Sequence, residues 1–506
     1  MKIYLKYVAL ASILFASCEA ELENPIDEDG FYVSGDADFS NFVAVGNSLT
    51  AGYADGALYI TGQENSLPNI MAGQFALAGG GEFNQPLMAD NLGGLKLNGN
   101  IVAENRFVLT AADATNPIGP ARLAGDPMTD VANTLSGSFN NYGVPGAKSF
   151  HLGVEGYGNA AGVATGQANP YFARFASSAN ASVIGDAMAQ SPTFFSLWIG
   201  NNDILSYATS GGIGVDRTGN LNPATYGSND ITDPNVFEQV YNELVTTLSG
   251  NTTGGVVFNI PDVTAIPYFT TVPYNAIPLN EATAEQVNEA YKQYNDALGL
   301  YSQVPVALGG ITPEEADRRM INFQAGQNAV VIEDENLTAL VNPTDGSQIP
   351  KIRQATPEDL ITLPASSVLG TLANPNDPTT VRGVGVPLGD QYVLLPEEQL
   401  LVTNAQTSYN ATIQALAQAN GLAFVDVKAT LNQLANGGIT YDAGTLTSTF
   451  ATGGAFSLDG VHPTPRGYAY LANLAIDAIN NTYGSTVPKV NVGNYNTITV
   501  SNDVNQ

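Results

Sequence analysis

The feature that most constrains the fold is a set of five short apolar runs, each leading into a loop rich in glycine, asparagine or proline. The runs are 42–45, 139–142, 194–199, 255–260 and 422–427. Short uninterrupted apolar runs are typical of strands that are buried on both faces of a parallel sheet. Segments with helical spacing, such as 407–419 and 464–480, lie among them. The pattern predicts an open α/β sheet, with its site at the carboxyl ends of the strands.

Two long stretches do not fit a minimal sheet of this kind. The segments 55–138 and 267–402 are rich in turns and only weakly periodic. We interpret both as insertions into a single domain that extends over 41–482, where they would cap the site. The remainder, 483–506, is predicted to be a C-terminal tail.

The beginning of the chain has the pattern of an export signal. Lys2 and Lys6 precede an apolar run, 7–16, that is too short to span a bilayer. Small residues then lead to Cys18, which is the only cysteine. This pattern resembles a bacterial lipoprotein signal, 1–18, whose lipidation site is Cys18. The alternative is an ordinary signal peptide in which the cysteine is incidental.

If Cys18 is lipidated, the protein is exported and lipid-anchored to the bacterial outer membrane, on its periplasmic or cell-surface side. The acidic segment 19–40 is then a solvated tether between the anchor and the domain.

The charge of the chain excludes one class of partner. There are 17 basic and 47 acidic residues, which gives a formal net charge of -30. Such a chain repels phosphate backbones, so we expect no binding of nucleic acid. The sequence does not predict an oligomeric state.

Residues that could take part in catalysis follow the first three apolar runs. Ser48 lies in GNSL (46–49), Gly146 ends YGVPG (142–146), and Asn202 lies in GNND (200–203). Each has an ordinary alternative: Ser48 as a helix cap, Gly146 as part of a Pro-Gly turn, and Asn202 as a turn amide. Together they offer a nucleophile, an unobstructed backbone N–H and an amide donor.

A general base would have to be one of only two histidines in the chain. His462 lies three residues after Asp459 in DGVHP (459–463), close enough for the carboxylate to hold the imidazole. The alternative for this segment is a surface turn. His151 has no acidic residue nearby in the sequence, and we interpret it as structural.

The four segments, in this order and at strand ends, resemble the conserved blocks of the SGNH or GDSL hydrolase family. GNSLTAGY (46–53) is similar to the GDSLTAGY form of the lysophospholipase- and thioesterase-like members. Asn47 stands where the family usually has Asp, a position outside the triad. The resemblance implies a flavodoxin-like three-layer sandwich with a mostly parallel five-stranded sheet, carrying large insertions.

The resemblance also implies an activity and roles for the residues. Ser48 would be the nucleophile, His462 the base and Asp459 its orienting acid. The backbone N–H groups of Ser48 and Gly146 and the side chain of Asn202 would form the oxyanion hole. We therefore expect a hydrolase of small-molecule or lipid carboxylic esters that needs no metal or cofactor. The alternative is a catalytically inactive surface lipoprotein that binds lipid or glycan.

Overall fold

The core of the protein is a five-stranded sheet in which every neighbouring pair of strands is parallel. A computed structural model describes residues 31–111, 118–342 and 346–504. The strands are β1 (Phe42–Gly46), β2 (Asn141–Gly143), β3 (Phe194–Trp198), β4 (Gly254–Phe258) and β5 (Ala423–Val425). Their order is β2-β1-β3-β4-β5. The predicted fold class is confirmed, because this is the flavodoxin-like order of a doubly wound α/β sheet.

The strand register brings the carboxyl ends of the first three strands to one level. Gly46 at the end of β1 pairs with Gly143 of β2 and with Trp198 of β3. The direction of winding reverses at β1, so a crevice forms between the loops that follow β1 and β3. The chain continues from these two strands into Ser48 and Asn202.

Within the part of the chain that the structure describes, the main helices are the short one that follows β1 and nine longer ones. They are α1 (Ser48–Ala51), α2 (Leu67–Phe75), α3 (Val183–Ala189), α4 (Asn202–Thr209), α5 (Pro234–Ser249), α6 (Glu281–Tyr301), α7 (Pro313–Arg319), α8 (Pro396–Ala419), α9 (Val427–Gly437) and α10 (Pro465–Tyr483).

The other described helical segments have three to five residues each and are Ile60–Glu64, Ala76–Ala78, Ser149–Gly153, Ala160–Val163, Pro170–Ala173, Pro223–Thr225, Pro267–Thr270, Val306–Leu308, Leu363–Ser367, Asp390–Tyr392 and Val492–Asn494.

Helices cover both faces of the sheet because the strand side chains alternate. Val43 and Val45 of β1 point into an apolar cluster that includes side chains of α3, α5 and α8. Phe42 and Ala44 point into the opposite cluster, with side chains of α2 and α10. Side chains of successive strand residues project to opposite faces, so a strand apolar throughout supports two layers. This explains why the strands read as uninterrupted apolar runs.

The two long stretches outside the sheet fold into small paired elements. The first contains the hairpins Leu95–Leu97 with Asn100–Ala103 and Phe107–Thr110 with Gly119–Arg122. The second contains α6, α7 and several two-stranded pairs, and much of it packs around an apolar cluster of its own that includes Val330 and Ile332. These pairs are Ile277–Leu279 with Gly326–Asn328, Val331–Glu333 with Ile352–Gln354, Leu340–Val341 with Gln348–Ile349, and Leu360–Ile361 with Val393–Leu394. A further hairpin, Ile439–Tyr441 with Gly444–Leu446, follows α9.

Both ends of the described chain lie against the domain. The predicted signal 1–18, with Cys18, and residues 19–30 of the predicted tether lie outside the described residues. Further along that tether, Ala37 and Phe39 are buried, and Phe39 stacks on Phe75. In the tail, Val500 bridges to Leu109 of the first insertion. Within the described ranges, no helix has the length and apolar character needed to cross a membrane.

Candidate active site

Ser48 lies at the tight turn between β1 and α1. The side chain of Asn47 caps the helix by accepting a hydrogen bond from the backbone N–H of Leu49 at 3.0 Å. A side chain at position 46 would collide with the Thr50 side chain and the Trp198 carbonyl, so this turn requires glycine. Asn47 Nδ2 also donates to Asn201 Oδ1 at 3.1 Å. The capping function therefore belongs to Asn47, and the Ser48 hydroxyl is left for other contacts.

The structure brings the predicted serine, histidine and aspartate together. His462 Nε2 lies 2.8 Å from Ser48 Oγ, and His462 Nδ1 lies 2.9 Å from Asp459 Oδ2. Ser48 and His462 are 414 positions apart in the chain, so the contact is purely tertiary. Tyr53 packs beside the imidazole, with 4.7 Å between the ring centroids. The distances are those of a hydrogen-bonded relay from hydroxyl to imidazole to carboxylate.

The surroundings of Asp459 keep its carboxyl group ionised. Burial by itself would raise its pKa, but the neighbouring His462 and the hydrogen bonds from His462 and Val461 lower that pKa to about 2. Oδ1 accepts the backbone N–H groups of Val461 and His462, each at 2.8 Å. An ionised carboxylate only accepts hydrogen bonds, so Nδ1 of His462 carries the proton. Nε2 is then free to accept the proton of the Ser48 hydroxyl.

The structure identifies a supporting residue, Asp55, that the sequence patterns did not. Its Oδ1 accepts the N–H of Leu458 at 3.0 Å, and its own N–H donates to Ser457 Oγ at 2.9 Å. The next residue, Gly56, donates its N–H to Asp459 Oδ2 at 2.9 Å. The start of the first long insertion therefore clamps the loop that carries Asp459. The only local signal was the Asp55-Gly56 dipeptide, which marks a turn but not its partner.

Asn202, the first residue of α4, lies on the same cavity as Ser48 and His462. Its Nδ2 donates to the carbonyl of Ala147 at 2.9 Å, which fixes the plane of the amide. An amide nitrogen carries two hydrogens, so one remains for another acceptor.

Gly146 is not among the described residues that line the cavity shared by Ser48, Asn202 and His462. It has a positive φ of 80°, and only Asn169 Nδ2 would come within 4 Å of an added Cβ, at 3.9 Å. Asn169 Nδ2 donates to the Pro145 carbonyl at 2.8 Å and so holds the turn. The role of Gly146 as an oxyanion donor stays a prediction.

The second histidine lies in a different environment. Its ring stacks on Tyr157 at 4.7 Å, and the backbone N–H of Lys148 donates to His151 Nδ1 at 3.1 Å. Burial, with a contribution from the charge of Lys148, lowers the pKa of His151 to about 4. His151 is thus a neutral acceptor that holds the turn following Gly146.

Three carboxyl groups come together outside this site. In the described ranges, Glu335, Asp390 and Glu398 have oxygen atoms within 4.8 Å of one another, the one such group with the composition of a metal site. Burial, together with the charges of Glu335 and Asp390, raises the pKa of Glu398 to about 9. A proton on Glu398 therefore relieves the repulsion in this cluster at neutral pH.

Comparisons with known proteins are weak. No family model and no curated protein matches the chain. Solved structures that match include LAE5, an alpha/beta hydrolase enzyme from the metagenome of Lake Arreo, Spain, at 10% identity and a TM-score of 0.31, covering 88% of this chain and 96% of that one.

A second match is a catalytic mutant of Axe2, an acetylxylan esterase from Geobacillus stearothermophilus, at 10% identity and a TM-score of 0.30, covering 88% and 95%. The matched structures are hydrolases and esterases, but at these scores the likeness carries no argument.

Proposed function

We propose that the protein is a serine-dependent hydrolase of carboxylic esters, of the SGNH or GDSL type. The observation that carries the proposal is the unbroken relay in which Ser48 Oγ lies 2.8 Å from His462 Nε2 and His462 Nδ1 lies 2.9 Å from Asp459. The alternative of a helix-capping serine does not apply, because Asn47 supplies the cap.

The relay supports a two-step acyl transfer. His462 takes the Ser48 proton as Oγ attacks the ester carbonyl, and Asp459 stabilises the imidazolium that forms. The oxyanion would be held by the N–H groups of Ser48 and Gly146 and by the amide of Asn202. His462 then protonates the leaving alcohol, which departs. Water, deprotonated by His462, then attacks the acyl-serine, and His462 returns that proton to Ser48 Oγ as the bond to the acyl group breaks and the acid leaves.

The test is hydrolysis of p-nitrophenyl esters, from acetate to palmitate, by the purified protein and by Ser48→Ala. We expect hydrolysis by the wild type and its loss, by about 10⁵ to 10⁶, in the variant. Ser182→Ala is a matched control, because Ser182 is a true cap whose hydroxyl accepts the N–H of Gly185 at 3.2 Å. Loss of the Ser182 hydroxyl should lower the free energy of unfolding by about 1 kcal/mol and leave ester hydrolysis unchanged.

Two outcomes would contradict the proposal. Hydrolysis that survives in Ser48→Ala would remove Ser48 from the mechanism. A wild-type protein that cleaves no ester would favour the alternative of an inactive lipid- or glycan-binding lipoprotein.

We further propose that the protein is exported and lipid-anchored through Cys18, which lies outside the described residues. The support is the sequence pattern alone: two lysines, a short apolar run and small residues before the cysteine. In cells that express the full chain, Cys18→Ala should move the protein from the membrane fraction to the soluble exported fraction. An unchanged distribution would contradict anchoring at this residue.

A further inference from the structure

An apolar cavity opens to the surface beside Ser48. Its volume is about 100 Å³, and Ser48, Asn202 and His462 are among the residues that line it. Most of the wall consists of aliphatic and aromatic side chains from α9, the hairpin after it, and the loops that follow β4 and the hairpin. They include Val263, Leu431, Leu434, Ile439, Leu446 and Phe456.

The composition of the wall determines what the cavity can hold. No aspartate, glutamate, lysine or arginine is among the described residues that line it, although the chain carries a net charge of -30. The polar groups that do line it include Ser48 and His462, which are the reacting groups of the proposed mechanism. A sugar or a charged chain would lose most of its hydrogen bonds to water there, since few of the lining residues, among them Asn201, Thr430 and Tyr470, carry polar side chains. A hydrocarbon chain loses nothing of this kind and gains by leaving water.

The volume sets the length of that chain. An apolar cavity of about 150 Å³ accommodates benzene, so a cavity of 100 Å³ has room for roughly four carbon atoms. This is the chain of a pentanoyl group beyond its carbonyl carbon. An acetyl group would leave most of the cavity empty, and the part of a fatty acyl chain beyond about four carbons would extend past the cavity and gain no further burial there.

We propose that this cavity binds the acyl chain of the substrate, so that the protein prefers esters of short aliphatic acids; this inference rests on the proposed function. The acyl group, unlike the alcohol, stays bonded to Ser48 after the first step. The alcohol has to leave so that water can enter. An apolar pocket without acidic or basic side chains beside Ser48 therefore suits the part of the ester that remains.

The first experiment compares two series of esters. In the acyl series, p-nitrophenyl esters from acetate to decanoate share one leaving group. In the alcohol series, pentanoate esters from methyl to hexyl share one acyl group. We expect kcat/KM in the acyl series to rise by about fourfold per carbon up to roughly pentanoate and then to rise no further. The alcohol series should vary little. An optimum in the alcohol series with a flat acyl series would overturn the inference.

The second experiment changes the size of the cavity. Leu431→Ala enlarges it and should move the optimum towards longer acids by roughly two to three carbons. Ala455→Leu projects a larger side chain from the cavity wall and should move the optimum towards acetate. Leu244→Ala is the matched control, because Leu244 is buried in the same apolar cluster but does not line the cavity. It should lower stability without moving the optimum.

The outcomes separate this inference from the proposed function. If hydrolysis depends on Ser48 but wild type, Leu431→Ala and Ala455→Leu all prefer the same acyl length, the acyl cavity is contradicted. The esterase proposal then still stands. Absence of any Ser48-dependent hydrolysis contradicts both. If one cavity variant does not fold, the other still decides, because the two predict shifts in opposite directions.

Discussion

Two carboxyl groups in the interior of this protein have pKa values that move in opposite directions. Asp459, beside His462, has its pKa lowered to about 2 despite the opposing effect of burial. Glu398, at the start of α8, has its pKa raised to about 9 by burial and by the charges of Glu335 and Asp390. Both side chains are largely shielded from water.

The difference lies in the partners of each carboxyl group. Asp459 accepts hydrogen bonds from three backbone N–H groups and faces an imidazole that can carry a positive charge. Glu398 accepts one backbone N–H, that of Leu395 at 2.7 Å, and faces two other acids. Donors and a cation stabilise the ionised form, whereas neighbouring anions stabilise the protonated form. The first site is built to hold a negative charge and the second to hold a proton.

The largest effect is expected from Asp459→Asn. An asparagine of similar shape can donate its amide hydrogens to His462 Nδ1, which favours the wrong tautomer for accepting the Ser48 proton. We expect kcat for p-nitrophenyl pentanoate to fall by about 10⁴. Glu398→Gln is the matched control, since it makes the same chemical change in the other site, and its kcat should stay close to that of wild type. Equal activity of the two variants would remove the distinction between the sites.

The next test places a carboxylate among the proposed oxyanion donors. Asn202→Ala removes one proposed oxyanion donor and should lower kcat by about 10² to 10³, with little change in KM. Asn202→Asp keeps the shape of the side chain but adds a negative charge where the substrate would develop one. We expect a greater loss in Asn202→Asp than in Asn202→Ala, which steady-state kinetics would measure. A charged variant more active than Ala would show that the amide does not face the oxyanion.

The strands and the residues that follow them directly are predictable from the sequence. The strands were predicted because each is apolar throughout, and Ser48 and Asn202 follow from the strands that precede them. Asp459 and His462 are three residues apart, so their contact is local. These signals lie within short windows, and the sheet order brings the windows together at one edge.

The supporting contacts gave no such signal. Asp55 accepts a hydrogen bond from Leu458, which lies 403 residues further along the chain. No periodic pattern in the sequence predicts a contact between two loops so far apart. Glu335, Asp390 and Glu398 meet through the packing of a long insertion whose short strand pairs carry little pattern. The apolar spacing predicts a helix only from Thr407, whereas α8 begins at Pro396. Its start signal is Pro396 followed by an acid that caps the helix.

The smallest expected effect is on the pH dependence of the free energy of unfolding. Its direction follows from the signs of the pKa shifts of Glu398 and Asp459. The folded-state pKa of Glu398, about 9, lies above its usual 4.5, so the folded protein retains a proton that the unfolded chain releases. The resulting stabilisation is complete below pH 4.5 and is lost as the pH rises through about 9. One such proton gives a slope of at most about 1.4 kcal/mol per pH unit in the free energy of unfolding.

Urea unfolding of wild type and Glu398→Gln between pH 6.5 and 9 tests this group, because the other groups with shifted pKa values, such as Asp203 and Lys148, are present in both proteins. Glu398→Gln cannot titrate but still offers an oxygen to the N–H of Leu395, so we expect its slope there to be flatter than that of wild type. Asp459 contributes in the opposite direction: its stabilisation is present above pH 3.8 and is lost as the pH falls towards 2. Asp459→Asn should therefore leave the slope between pH 6.5 and 9 unchanged. If Glu398→Gln has the wild-type slope, the carboxyl of Glu398 is ionised in the folded protein, and the two sites do not differ in the way that their partners imply.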